Sequence, residues 1–381
     1  MTSTESPVQV ILGKVAQVAG LASILFVSLA SGHPVAKRSL SAVLQSADLV
    51  IAGTANVTLN SGTYSGTILV REVLKGKATV GSAVPISWIE LPQGSSMAPR
   101  APGPSKPVQG TGIFFLRTAP GPFQIVSLLD GAQSFGQVYL PISQSTKRGP
   151  IATSVSSNAK TALDRIVVEI VTGFEAGLSL NYDLVSVYKD TRSPVLPVAF
   201  KSFQMSTNPE LAALGHAGAI ATGDASSIQV IYRNAKTLST ARRWDSVLFE
   251  IRQFRDPANV KAITAFETIV SDQSALLPLR QAAAISLGSI HVRHSLPYLA
   301  ALLTEPSLTL RTAAVGGLAL FANNVKIGES SPSADPSPYR DDQTIAHSAW
   351  DERIVGRDSS YLTFWQTWWL AHRAELTTSA P

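Results

Sequence analysis

The chain has 381 residues, of which 45% are hydrophobic, so it is long and apolar enough for two or three globular domains. Its formal net charge of +5 comes from lysines and arginines that are spread along the sequence, which argues against a dedicated nucleic-acid-binding surface. The lack of cysteine excludes disulfides, thiolate metal sites and cysteine nucleophiles.

Residues 1–30 are predicted to be a secretory signal peptide. An apolar run from Val15 to Ala30 follows Lys14, and the small residues Ser28 and Ala30 suit cleavage after Ala30. The run is shorter than the roughly 20 residues that a membrane span prefers. We therefore expect an exported protein, periplasmic or extracellular. The alternative is that this segment is not cleaved and anchors the protein in the membrane. No later stretch is apolar for long enough to span a bilayer.

Residues 40–143 are predicted to form a small all-β domain, either a barrel or a sandwich. Its segments are rich in β-branched residues, and the short turns between them leave no room for a crossover helix. The predicted strands are Asp48–Leu59, Gly62–Leu74, Ser82–Ile89, Gly112–Arg117 and Phe123–Leu129. The proline-rich stretch Gln93–Gln109 is expected to be a long surface loop.

Two strings in this domain, Ala47 to Gly53 and Val70 to Gly76, resemble those of bacterial OB-like domains related to the metalloproteinase-inhibitor barrel. Inhibition in that family depends on an N-terminal cysteine, so the resemblance implies the barrel but not the inhibitory activity. OB barrels can also bind single strands or sugars through aromatic side chains on one face. Here the aromatic residues are expected to pack in the core. They are Trp88, Phe114, Phe115 and Phe123.

Residues 155–327 are predicted to be helical. Ala159 to Phe174 carries a broad apolar stripe, and Ser193-Pro194 is expected to open a second helix that ends near Phe203. Asn208-Pro209 has the features of a helix start, and Gly223 those of its end. Pro257 is expected to be the first residue of a further helix, which is built on Val260, Ile263 and Phe266.

One hydrophobic pattern is written twice between residues 274 and 324. The string Leu-Pro-Leu-Arg-Gln-Ala-Ala-Ala around Arg280 recurs as Leu-Thr-Leu-Arg-Thr-Ala-Ala-Val around Arg311. Each copy predicts an inner helix whose alanines and glycines allow close packing, and His294 to Thr304 predicts the outer helix between them. Pro306 ends that outer helix.

These strings resemble the HEAT-repeat family, in particular its short bacterial subtype, over about residues 257–324 and more loosely over 205–256. The resemblance implies an α-solenoid in which Arg280 and Arg311 tie one hairpin to the next. The alternative is an arginine ladder that faces a ligand. HEAT arrays mostly bind proteins, and a fold does not by itself fix a function.

Residues 328–358 are rich in serine and proline and are predicted to be a linker, and residues 359–376 a C-terminal capping helix. Three tryptophans are costly to expose in one short helix, so we expect them to dock on the last repeat. They are Trp365, Trp368 and Trp369. The alternative is a surface that binds sugars or membranes.

The sequence contains no recognisable catalytic or metal-binding motif. His291 and His294 are close together but have no acidic neighbour, and Arg293 between them disfavours a cation. The stretch Gly131 to Gly136 resembles a nucleophile elbow only superficially, and Asp341-Asp342 lies in the predicted linker. We therefore nominate no catalytic, cofactor or metal residue, and we expect no cofactor.

These features predict a multidomain α and β protein, in which a small all-β barrel or sandwich precedes a HEAT-like α-helical solenoid. The expected function is that of an exported, non-enzymatic scaffold that binds a protein or peptide, and not nucleic acid, through the solenoid surface. The alternative is an envelope hydrolase or other enzyme whose site lies at the junction of the β-domain and the solenoid.

Overall fold

The computed structural model describes residues 38–60, 63–89, 107–126, 139–142, 148–178, 183–322 and 359–378. The predicted signal peptide and linker lie outside these ranges, as do Gly131–Gly136, Asp341-Asp342 and most of the loop Gln93–Gln109. No helix within these ranges has the length and hydrophobicity that a bilayer crossing requires.

In the described part of the N-terminal half, six strands form one sheet, and five of them close into a small barrel. The strands are β1 (Leu49–Asn60), β2 (Thr63–Lys75), β3 (Ala83–Ile89), β4 (Pro107–Arg117), β5 (Phe123–Ile125) and β6 (Tyr139–Pro141). Their order is β1-β2-β3-β5-β4, and β4 pairs back with β1 to close the barrel. Strand β6 pairs with residues 112–114 of β4, and β5 pairs with residues 116–117. Strands β3 and β5 run parallel, and the other neighbours run antiparallel. The barrel prediction is confirmed.

The first three predicted strands agree with the structure to within one residue at each end. Strand β4 begins at Pro107 and not at the predicted Gly112. The predicted loop Gln93–Gln109 is therefore wrong at its end, because its last three residues belong to β4. Pro107 pairs with Thr58 at the first position of the strand, where a missing N–H is tolerated. Strand β5 ends at Ile125, before the predicted Leu129.

The interior of the barrel is apolar. Of the aromatic residues predicted to be core, Trp88, Phe114 and Phe115 are buried, and Phe123 is only partly buried. Trp88 stacks on Tyr64 across β2 and β3 with ring centroids 4.5 Å apart, and Phe114 stacks on Tyr139 at 5.1 Å. Phe115, the next residue along β4, points to the opposite side and packs against the helices.

The rest of the described chain is helical. A short helix α1 (Leu40–Ser46) precedes the barrel. After it come α2 (Pro150–Ser156), α3 (Ala162–Glu175), α4 (Leu184–Thr191), α5 (Val195–Gln204), α6 (Pro209–Ala221), α7 (Ser226–Leu238), α8 (Trp244–Arg252), α9 (Val260–Ser271), α10 (Leu277–Ile290), α11 (Leu296–Ala301), α12 (Leu308–Ala322) and α13 (Ser359–Thr378). Single 3-10 turns, Arg293–Ser295 and Leu302–Thr304, flank α11.

From α4 to α12, alternate helices pack against each other, so the chain builds two layers. Helices α4, α6, α8, α10 and α12 form the inner layer, in which each contacts the next. Helices α7, α9 and α11 form the outer layer in the same way, and α5 joins it through a hydrogen bond from Gln204 Nε2 to Ser227 Oγ of 2.5 Å. The two copies of the sequence repeat are the inner helices α10 and α12, and the predicted outer helix between them is α11 with its 3-10 turns.

Some predicted helices begin or end elsewhere, and several helices were not predicted. Helix α9 starts at Val260 and not at Pro257, because the Asn259 side chain caps it by accepting a hydrogen bond from the amide of Ala262. Val260 is 66% exposed and so does not belong to the buried face that was predicted for it. The unpredicted helices are α1, α2, α4, α7 and α8.

Arg280 and Arg311 connect consecutive helices. Arg280 is buried; its Nε and Nη2 donate to the carbonyl of Val270 at 3.2 and 3.0 Å, and Nη2 lies 2.6 Å from Glu305 Oε1. Arg311 Nη1 donates to the carbonyls of Glu305 and Pro306 at 2.6 and 2.9 Å. Both side chains therefore hold the turn before α12 in place, and they do not form a ligand-facing ladder.

One side of the barrel packs on the first helices. Val50 on β1 and Phe115 on β4 are paired residues whose side chains belong to the same apolar core as α1, α2 and α3. Beside this core, Glu169 on α3 accepts hydrogen bonds from Arg71 of β2 at 3.2 Å and from Arg148 at 2.7 Å. The barrel and the helices therefore share apolar and ionic contacts.

At the other end of the helical array, α13 packs against α11, α12 and both 3-10 turns. Trp365 is fully buried in this contact. Trp368 lies edge-on to Trp365 at 5.5 Å and stacks on His372 at 4.8 Å. The aromatic side chains of α13 thus cover the last helices of the array.

Candidate functional site

A cleft of about 240 Å³ opens where the C-terminal ends of α6 and α8 meet the last turn of α4. Apolar side chains form part of its wall, and four polar or charged side chains form the remainder. The lining residues are Ile220, Ala221, Gly223, Phe254, Lys189, Glu250, Gln253 and Arg255. All of them belong to inner-layer helices or to the turns that directly follow those helices.

Two sharp helix ends shape the cleft. Gly223 has a φ of +93°, which only glycine adopts at little cost, and it turns the chain directly after α6. The amide of Asp224 then donates to the carbonyl of Ala219 at 2.8 Å, which satisfies a carbonyl at the end of the helix. Arg192 ends α4 in the same left-handed region with a φ of 52°. Both helices therefore end sharply beside the cleft, with backbone amides bonded to their terminal carbonyls.

The Lys189–Glu250 ion pair forms the charged wall of the cleft. Lys189 Nζ lies 2.7 Å from Glu250 Oε1 and 2.8 Å from Oε2, and it also lies over the Phe249 ring at 5.5 Å. Glu250 is only 5% exposed. Burial raises the pKa of its carboxyl, and the bonds from Lys189 counteract part of that rise. The carboxylate therefore depends on Lys189 for its charge.

Two arginines lie at the end of α8, and neither forms a salt bridge with a described carboxylate. Arg255 Nη1 donates to the carbonyl of Arg252 and, at 2.7 Å, to that of Phe254. Arg252 Nε is buried without a hydrogen-bond partner. Burial lowers the pKa of both guanidinium groups, and the charge of Asp245 opposes this for Arg252. Arg255 is therefore available to a carboxylate or carbonyl oxygen of a ligand.

The lining of this cleft combines apolar side chains with a few charged and polar ones. Its lining includes one carboxylate, which is held by Lys189, and it includes no hydroxyl or imidazole group among the described residues. A general base beside a nucleophile is therefore missing from this wall. An apolar wall next to a guanidinium group is instead typical of protein interfaces, which are rich in aromatic and arginine residues.

The two neighbouring histidines of the sequence are used separately. His291 caps α10 with a φ of 65°, and its ring meets Phe321 edge-on at 4.6 Å. His294 Nε2 lies 3.4 Å from Glu267 Oε1, an atom that also accepts a bond from Ser295 Oγ at 2.8 Å. The acidic neighbour that the local sequence lacks therefore comes from α9. No group of three histidine or acidic side chains is placed to hold a metal within the described ranges.

Other buried polar side chains serve the fold. Asp164 accepts from Ser193 Oγ at 2.6 Å and completes the capping box of α3 with Thr161. Glu175 accepts from the amides of Ile151 and Ala152 at 2.9 and 3.0 Å, which caps α2. These carboxylates are committed to helix ends and are not free for acid–base chemistry.

The residues of the cleft were missed in the sequence because they come from separate helices. Lys189 and Glu250 are 61 positions apart, and neither α4 nor α8 was predicted. One signal was present: Glu250 lies three positions after Val247, so a carboxylate shares a helix face with a core residue. A charge on an apolar face requires a partner.

Comparison with protein-family models, with curated proteins and with solved structures found no match. The function of the cleft therefore has to be inferred from its geometry and charges.

Proposed function

We propose that the protein is an exported, non-enzymatic scaffold that binds another protein through the surface of its helical array. The array is interpreted as a HEAT-like solenoid and the barrel as an OB-like domain. The strand order β1-β2-β3-β5-β4, closed through β1 and β4, supports the second interpretation, because OB domains are five-stranded Greek-key barrels.

The observation that carries the proposal is the alternation of inner and outer helices from α4 to α12. Each added pair of helices lengthens the surface without changing the contacts already made, which is the property that repeat arrays use to bind extended partners. The cleft at the ends of α6 and α8 adds a defined recess to this surface.

The charges in the cleft indicate how a partner would bind there. An apolar side chain would pack against Ile220 and Phe254, and a carboxylate or a main-chain carbonyl would accept hydrogen bonds from Arg255. Gln253, which is exposed at the mouth, offers one further donor and acceptor.

The alternative of an enzyme with a site between the barrel and the helices is less well supported. Arg71 and Arg148 at this junction both pair with Glu169, and Arg165 donates to the carbonyls of Val73 and Leu74 at 3.3 and 2.7 Å. These four side chains are therefore occupied by structural contacts.

Export is proposed from residues 1–30 alone, and sequencing the N-terminus of the protein from its native envelope tests it. We expect a mature chain that begins after Ala30. A chain that still begins near Met1 and is extracted only with detergent would support the anchored alternative.

Binding is tested by capture from the envelope fraction with the purified full chain as bait. Cross-linking and mass spectrometry then identify the captured partner. Gln253→Trp fills the mouth of the cleft without touching the core, and Gln273→Trp changes an exposed glutamine elsewhere. We expect one partner to be captured by the wild-type and Gln273→Trp chains and lost with Gln253→Trp. If no partner is captured and the protein turns over substrates in a hydrolase panel, the enzyme hypothesis would replace the scaffold hypothesis.

A further inference from the structure

The exposed charges within the outer-layer helices all have the same sign, and the turns before α7 and α9 expose the acidic residues Asp224 and Asp256. Lys201 on α5, Arg233 and Lys236 on α7, and Lys261 on α9 are exposed. None of the exposed residues of α5, α7, α9 and α11, which are fully described, is acidic. The one acidic residue in these helices, Glu267, is 8% exposed and is bonded to Ser295.

The same helices expose large apolar side chains beside these basic residues, and we call the exposed side of α5, α7, α9 and α11 the outer face. Its apolar members are Val198, Val230, Val260 and Tyr298, with Met205 directly after α5. The remaining exposed positions of the outer face are small, or are neutral polar residues.

A valine and a basic residue recur together on three consecutive outer helices. Their exposed pairs are Val198 with Lys201, Val230 with Arg233, and Val260 with Lys261. The first two pairs have the i, i+3 spacing that places side chains next to each other on a helix, and the third pair is adjacent in sequence. Inner-layer helices differ, since α4 and α8 expose the acidic residues Asp190 and Asp245.

This pattern has the chemistry of a surface that lies on an anionic membrane. Each Lys or Arg held near anionic headgroups contributes about 1 kcal/mol, and apolar side chains between them can enter the interfacial region. The basic groups are spread over three helices and do not converge on one point. An extended anionic surface can meet all of them, whereas a single phosphate or carboxylate group can meet only one or two.

We propose that the outer face docks the protein peripherally on a lipid surface that contains anionic headgroups. The proposal does not rest on the protein-binding function. Docking by the outer layer would leave the cleft, which inner-layer helices and their turns form, accessible to a partner.

The test is flotation of the full chain with vesicles of phosphatidylcholine alone and with vesicles of phosphatidylcholine and phosphatidylglycerol in equal parts. The apolar N-terminal segment is common to all samples, so the difference between the two vesicle types isolates the contribution of the anionic lipid. We expect binding that requires phosphatidylglycerol and that is largely lost at roughly 1 M salt, where charges beyond about 3 Å are screened.

The decisive variant combines Lys201→Gln, Arg233→Gln and Lys261→Gln. Its matched control combines Lys77→Gln, Arg117→Gln and Lys160→Gln, which removes three exposed positive charges outside the outer face. We expect phosphatidylglycerol-dependent binding to fall about tenfold or more in the first variant and less than about threefold in the control. Thermal melting of both variants shows whether they are folded.

Three results would overturn the proposal. One is wild-type binding that is equally strong with and without phosphatidylglycerol. Another is an equal loss of vesicle binding in the variant and its control. The third is binding of the wild-type chain to soluble poly-L-glutamate but not to vesicles, which would assign the outer face to an acidic protein. Capture through the cleft, measured without lipid, is unaffected by any of these results.

Discussion

Gly288 of α10 and Gly317 of α12 lie opposite each other, and a Cβ atom built on Gly288 would be only 2.6 Å from the Cα of Gly317. A Cβ on Gly317 would in turn meet Leu299 of α11 at 2.8 Å. The backbones of two successive inner helices therefore touch without intervening side chains. The sequence predicted this close approach from the small residues of each repeat.

Gly288→Ala should destabilise the protein by about 1–3 kcal/mol, because the added methyl group overpacks a contact made by backbone atoms that cannot rotate away. Ser289→Ala is the control, because Ser289 is the next residue along the helix and its side chain is only partly buried. Urea unfolding of both variants gives the comparison. Equal stability of the two would show that α10 and α12 can separate without cost.

Leu287→Ala and Leu318→Ala should each lower the free energy of unfolding by about 2–5 kcal/mol, because both side chains are at most 1% exposed in the core of the inner layer. Leu277→Ala at the start of α10 is the matched control, because Leu277 is 44% exposed. Leu277→Ala should lower the free energy of unfolding far less. Unchanged melting midpoints for both core variants would contradict the assignment of α10 and α12 as inner helices.

The elements that the sequence predicted well are those whose signal is local. The barrel strands carry alternating β-branched residues between glycine turns, and α6 begins at Asn208-Pro209, where the Asn208 side chain accepts from the amide of Glu210 as an N-cap. The repeat around Arg280 and Arg311 marked two inner helices, because the same packing problem recurs in each copy.

The elements that the sequence missed depend on distant contacts. Helix α4 spans only Leu184–Thr191, and its contacts with α1 and α6 are what bury its apolar residues. Strand β4 extends back to Pro107 because β1 provides a partner as far as Thr58. The cleft could not be foreseen, since Lys189, Glu250 and Arg255 meet only when α4, α6 and α8 have packed.

The stability of the fold should decrease in mild acid because of two imidazoles, that of His216 on α6, which is buried, and that of His291 after α10, which is half-buried. Burial lowers the pKa of both below the ordinary 6.5, although Asp224 opposes this for His216 and a hydrogen bond with the Phe321 backbone opposes it for His291. His216 Nδ1 and His291 Nε2 are buried without a hydrogen-bond partner, so the neutral rings are favoured in the fold. The unfolded chain takes up protons first as the pH falls below about 6.5, which reduces the free energy of unfolding.

Replacing either histidine by glutamine should flatten this dependence between about pH 7 and pH 5, measured by urea unfolding at each pH. The effects of His216→Gln and His291→Gln should add, because His216 lies on α6 and His291 follows α10. A double variant with the wild-type slope would show that other groups cause the acid sensitivity.

Lys189→Met should lower the free energy of unfolding, because it leaves the buried carboxyl of Glu250 without its cation. Without the ammonium group, the pKa of this carboxyl, which burial already raises, should rise further. A raised pKa means that the folded state holds the proton more tightly than the unfolded chain does, so stability falls as the pH increases from the unfolded value through the folded one. We therefore expect a loss of about 1–3 kcal/mol at pH 8 and a smaller loss at pH 5; this is below the cost of breaking a fully buried pair because the Lys189 side chain is 41% exposed.

The second substitution Glu250→Gln should recover most of that loss, since a neutral amide needs no cation beside it. Unfolding of the two single variants and the double variant at both pH values completes the cycle, and Lys160→Met serves as the control for removing an exposed lysine. A loss in Lys189→Met that is the same at both pH values and persists in the double variant would come from the Lys189 packing on Phe249. In that case the carboxylate of Glu250 would not depend on Lys189.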